Sequence, residues 1–180
     1  MNRAARALIA ASDRIDRVCL LSAKAALVAM VAVIGVQIVA RYGLRSPPGW
    51  TEELARYLMV WGGLLGATAA FRRGLDPAVT RRDETARGWS GRLARVALVV
   101  AVALLVVPIL YFSFFGPGLD PGRSFLMRNL ARTSSGLGIN LIFIAAAIPT
   151  FCIVILAHLA ARIVGGPLKT QVPEHAADIG

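Results

Sequence analysis

The side chains that could do chemistry in this sequence are few: two histidines, two cysteines and ten carboxylates among 180 residues. A membrane cytochrome needs paired intramembrane histidines as haem ligands. Here His158 is the one histidine inside an apolar run, and His175 lies in the polar carboxy-terminal stretch. Neither H-E-x-x-H nor a P-loop is present. Cys19 and Cys152 are embedded in apolar sequence without metal or redox spacing and read as small buried residues. No Asp or Glu falls mid-run, where a proton relay or the buried acid of a small multidrug exporter would have to lie. The sequence therefore predicts no enzyme, no cofactor and no metal site.

What remains is a group of polar residues where the first long apolar run ends and the second begins. Gln37 and Arg41 lie one helical turn apart, and Glu52, Glu53 and Arg56 follow a short break. Glu52 and Arg56 stand in the favoured acid-then-base i,i+4 order. The plain reading is an interfacial charge network that pins two helices together. The functional reading is a docking or coupling site for a partner at the outer face, and the two are compatible. An Arg56 held against another helix would resist replacement by lysine, because the guanidinium is a planar fork of five donors.

The elements that must position these residues are membrane helices. The chain is 57% hydrophobic and only 17% charged, with mean hydropathy +0.65, well beyond an ordinary soluble domain. We read an all-α integral membrane protein, one membrane domain over 1–180. It has four spans at about 18–40, 52–71, 96–115 and 137–161, each near the ~20 residues that cross a bilayer. Residues 1–17, with Arg3, Arg6, Arg14 and Arg17, are expected to form an amphipathic helix on the membrane surface leading into the first span. A cleaved signal peptide is the alternative, but the apolar run passes through VIGVQIVARYG without a clear A-x-A cleavage site. SPPG at 46–49 turns the chain, and Thr51 is expected to cap the second helix. A second interfacial helix is expected within 123–136, Pro149 near the middle of the last span, and a mobile tail over 162–180.

The second span, WTEELARYLMVWGGLLGATAAFRR, is the most patterned. At ~100° per residue, Gly62, Gly63, Gly66 and Ala70 gather on one side with Glu52 and Arg56, while Tyr57, Leu58 and Trp61 fall on the other. The small-residue side is expected to pack against protein, together with Gln37 of the first span, and the bulky side to face lipid.

Net charge +10 reads here as a topology signal, with a lipid bilayer and no nucleic acid as partner. Fourteen of the 20 Lys and Arg lie in the amino-terminal segment, the 72–95 connection and the tail, against six on the opposite side. The positive-inside rule then puts both termini in the cytoplasm.

The run VQIVARYGLRSPPGWTEELARYLMVWGGLLGATAAFRRG resembles the signature of the small, DctQ-type membrane subunit of tripartite ATP-independent periplasmic (TRAP) transporters. TSSGLGINLIFIAAAIPTF is similar to the second motif of that family, and the likeness covers nearly the whole chain. One departure is GLDPAVTRRD after Arg73, which has no histidine following Gly74 and carries Pro77 instead. The resemblance implies a scaffold subunit in a bacterial inner (plasma) membrane. Its partners would be a large multi-span membrane subunit, which carries sodium and an organic acid, and a periplasmic substrate-binding protein. A self-sufficient small oligomeric transporter or channel is the rival reading.

The charge asymmetry generates a direct test. Single cysteines at Ser46 and Thr85 are expected to react oppositely with an impermeant thiol reagent in intact cells, Ser46 from outside and Thr85 only after lysis. Labelling of Thr85 from outside would invert the topology.

Overall fold

The computed structural model describes residues 3–46, 48–73 and 89–165. Among them the protein is all-α, with four helices long and apolar enough to cross a membrane. The elements are α1 (Arg3–Tyr42), α2 (Gly49–Arg73), α3 (Trp89–Phe114), the short α4 (Phe125–Leu130), the single turn α5 (Ile142–Ala145) and α6 (Ala147–Ile163). The GLDPAVTRRD segment, Pro77, Thr85 and the tail beyond residue 165 lie outside the described residues.

The amino-terminal segment differs from its expectation. Residues 3–42 form one unbroken helix, with no junction at 17–18 between a surface helix and a span. Its residues Ser12, Asp16 and Cys19 are buried, and with Ala23 and Ala26 they follow the alternating four-and-three spacing of a helix–helix seam. Helix α2 runs back along this seam. A Cβ placed on Gly62 would lie 3.3 Å from Ala26 Cβ, and one on Gly66 would lie 4.0 Å from Ala23 Cβ. Small residues on both helices let the backbones approach closely, so association rests on packing rather than on bulk hydrophobicity. Gly63 has nothing within 4 Å of such a Cβ, so the four small positions do not all meet the same neighbour.

Helix α6 touches α1, α2 and α3 and is the most buried of the four spans. Cys152 and Ile155 meet Val106 of α3, with Phe71, Val102 and Leu110 packed around them. Cys19 and Cys152 are both free and buried. Pro149 is not at the middle of a span, as expected, but in the first turn of α6. It has no N–H for the carbonyl one turn back, and that is where α5 and α6 part at Ala146. The Trp61 indole donates to Phe143 O at 3.0 Å beside this break, which satisfies a carbonyl that lipid cannot. The bulky side of α2 is thus a protein contact rather than the lipid face.

Between α3 and α5 the chain makes two 3₁₀ turns, α4 and a hairpin-like return. Ser124 caps α4, accepting from Met127 N. Thr133 and Asn140 form an isolated bridge. Gly138 takes φ 67° at the tip, a conformation that other residues reach only with strain. Asn140 donates to Leu130 O at 2.6 Å and accepts from Ile142 N at 2.9 Å, so one side chain closes the return and starts α5.

The α1–α2 seam separates two neighbouring glycines. Leucine at Gly62 is expected to overpack it, at about 1–3 kcal/mol. Leucine at Gly63 should change the stability of the isolated chain by no more than about 0.5 kcal/mol. Thermal melts of the two variants in detergent check this, and equal losses would show that the seam lies elsewhere.

Candidate functional site

The polar residues named from sequence at the start of α2 do not act as one cluster. Glu53 is the centre. Its Oε1 accepts the Tyr57 hydroxyl at 2.7 Å, and its Oε2 accepts Gly136 N at 2.8 Å and Leu137 N at 3.1 Å. Buried Ser134 stands beside it and accepts a second contact from Leu137 N at 3.1 Å. An ionised carboxylate is a pure acceptor with room for several donors, and here its donors come from two distant parts of the chain. The sequence places Glu53 one turn before Tyr57 on a helix, which brings the hydroxyl within reach. The two amides come from the return before α5.

Gly136 is required at this junction for space. A Cβ there would fall 2.7 Å from Glu53 Oε2 and 2.9 Å from Gly49 O. The return therefore lies directly on the first turn of α2, and backbone meets backbone where no side chain fits. Thr51 is buried in that turn, but it is not the cap. The helix begins at Gly49, and the Thr51 hydroxyl donates back to Pro48 O at 2.7 Å, so it ties the SPPG turn to the helix.

Glu52 and Arg56 form a loose pair, 3.8 Å apart with side chains 72% and 63% exposed. An exposed pair of this kind contributes roughly 0–1 kcal/mol, and it does not pin two helices together as the sequence suggested. Gln37 is half-buried and Arg41 exposed, and neither makes a hydrogen bond or ion pair among the described residues. The reason is geometric. Glu53 turns toward the return, whereas Glu52 and Arg56 point away from the rest of the chain. Beside them is an open pocket of about 570 Å³ lined by Glu52, Glu53, Arg56, Tyr57, Ser135 and Gly136. Along the α1–α2 seam runs an apolar groove of about 360 Å³, lined by Ala23, Leu27, Met30, Met59, Gly62 and Gly63 among others.

A second polar cluster, at the opposite end of the bundle, was missed from the sequence. Arg72 Nη2 donates to Asp13 Oδ1 at 2.9 Å, and Arg73 Nη2 to Asp16 Oδ2 at 3.4 Å. Ser12 Oγ and His158 Nδ1 share a hydrogen bond of 2.7 Å, and Arg162 lies 5.7 Å above the Phe71 ring. Asp16, Arg72 and His158 are all 3% exposed or less. Both arginines occupy the last turn of α2, where the helix dipole favours cations. The available signal was two acids at i,i+3 before the first span and two arginines closing the second. An antiparallel pairing of those spans brings them level.

No group of three or more His, Cys, Asp or Glu able to hold a metal occurs among the described residues. What this arrangement can do is fix geometry: Glu53 at one end, the arginine–aspartate pairs at the other, and an uncovered face between them.

Glu53→Ala is expected to strip protection from the Gly136 and Leu137 amides. Hydrogen exchange of that segment should rise to the rate of an open loop, while α6 stays protected. Gly136→Ala should produce the same local opening by displacing the return from Gly49. Unchanged protection in both variants would remove Glu53 from the centre of this site.

Residues 30–166 match the family model described as tripartite ATP-independent periplasmic transporters, DctQ component. A segment of 51 residues is 39% identical to a Haemophilus influenzae protein assigned as a TRAP transporter small permease protein. That match covers 28% of this chain and 32% of the relative, so the chain spans about a third of the protein it matches. The family match takes in the whole of α2, the Glu53 junction and the whole of α6, and on that extent the chain belongs to the DctQ family, the small membrane component of TRAP transporters.

Proposed function

We propose that this chain is the scaffold subunit of a sodium-coupled TRAP transporter that takes up organic acids. In this reading it packs against a large multi-span membrane subunit, and a periplasmic substrate-binding protein delivers the solute. It sits in a bacterial inner membrane with both termini in the cytoplasm, and the Glu53 junction faces the periplasm.

The observation that carries this reading is the outward face of α2. Glu52, Arg56, Met59, Gly63 and Ala67 are all exposed, at steps of four and three residues that place them in one stripe. Gly63 and Ala67 leave the backbone open to close approach by another helix. The groove beside them is bordered by Met59 and Gly63, and the flexible methionine adapts to an irregular neighbour. Glu52 and Arg56 end the stripe at the Glu53 junction, where a partner carboxylate would find a guanidinium with donors to spare. Gln37, half-buried on α1, adds an amide for a contact between helices.

Co-purification tests the stripe. Gly63→Leu, which should leave the isolated chain intact, is expected to lose the large membrane subunit, and Arg56→Ala to weaken its retention with Arg56→Lys intermediate. Retention of the subunit by Gly63→Leu would turn this face toward lipid. Reconstituted alone in liposomes, the chain should show no sodium-driven uptake of organic acids. Robust uptake would favour the self-sufficient oligomeric transporter.

A further inference from the structure

The amino-terminal turns of α1 present two unlike faces. Ser12, Asp16 and Cys19 are buried against the bundle. Arg3, Arg6, Arg14 and Arg17 are all exposed, and at ~100° per residue they fall within a sector of about 80° on the other side. None of the four makes an ion pair among the described residues, whereas the acids of the same segment, Asp13 and Asp16, face Arg72 and Arg73. The outward face is therefore basic, with Asp13 at its margin paired to Arg72.

Further along the helix the same face becomes mainly aliphatic, with Leu21 and Val28 each 70% exposed. Exposed Lys24 lies between them, with a stem long enough to carry its ammonium back toward Arg17. The change from arginine to aliphatic between residues 17 and 21 marks the edge of the hydrocarbon. Helix side chains lean toward the amino terminus, here out of the bilayer, and Arg17 Nε reaches back to Asp13 O at 3.4 Å.

We propose that Arg14 and Arg17 form a binding surface for the anionic phospholipid headgroups of the leaflet around this end of the bundle. A rise of 1.5 Å per residue puts Arg14 about 4 Å and Arg6 about 16 Å beyond Arg17. Charge is screened over about 8 Å at physiological ionic strength. The inner pair lies within that range of the hydrocarbon edge and the outer pair beyond it. The ion pairs to Arg72 and Arg73 fix the rotation of the helix, so the arginine face stays turned to the surrounding leaflet. This inference holds whichever partner covers α2.

Native mass spectrometry of the full-length chain, taken from an equimolar mixture of phosphatidylglycerol and phosphatidylcholine, tests it. The wild type is expected to retain phosphatidylglycerol preferentially. Arg14→Gln/Arg17→Gln should lower that preference at least about fivefold, the effect of one basic residue at an anionic surface. Arg3→Gln/Arg6→Gln should change it less than about twofold, and Arg123→Gln/Arg128→Gln, away from this end, not at all. Absence of a lipid preference in the wild type, or an unchanged preference in the Arg14/Arg17 variant, would overturn the proposal. So would inorganic polyphosphate binding as tightly as the lipid with no bilayer present, which would make the surface a site for soluble polyanions.

Discussion

A single carboxylate holds one end of this molecule together. Glu53 accepts the Tyr57 hydroxyl from its own helix and two backbone amides from a return more than eighty residues later. Those amides sit in a tight return, where Ser134 Oγ is a second acceptor for Leu137 N and Glu53 is the acceptor that serves both. The carboxylate therefore sets where the return sits, and the return sets where α5 and α6 begin. Gly136 is part of the same constraint, because only a residue without a Cβ lets the return rest on Gly49 and Glu53.

The opposite end is solved with charge. Two arginines ending α2 are matched by two aspartates on α1, and Ser12 meets His158 of α6. Breaking a buried pair leaves an uncompensated charge, at about 3–5 kcal/mol when burial is complete. Asp13 remains 29% exposed, which places its pair below that range. These contacts join α1, α2 and α6 at one level and account for the continuity of α1 through residue 17. A segment lying flat on the membrane surface could not place Ser12 and Asp16 against the bundle.

Between these two fixed ends, α2 spends its surface unevenly. Gly62 and Gly66 are used within the chain, against Ala26 and Ala23. Trp61 reaches the break before α6, while Gly63 and Ala67 stay uncovered. A DctQ-family chain with both ends tied and one small-residue face open fits the scaffold role we propose. Its rigidity is internal, and the surface left over is suited to another helix.

The sequence by itself determined the class and the number of spans, because apolar runs of bilayer length are a one-dimensional signal, and two motifs carried the resemblance to the family. It also pointed to Glu53, as one of five polar residues, and to the two stretches that contain Glu53 and Gly136. Which of the neighbouring polar residues would meet was decided only by tertiary structure. Glu52 and Glu53 are adjacent, but one hundred degrees of helix rotation sends the first outward and the second onto the return. The same rotation separates Gly62 from Gly63, so a stripe drawn on one helix could not tell an internal seam from an open face. Asp13, Asp16, Arg72 and Arg73 looked like flanking charges until antiparallel packing brought them level. Their pairing depends on the register between two helices, a three-dimensional quantity that no single run of residues contains.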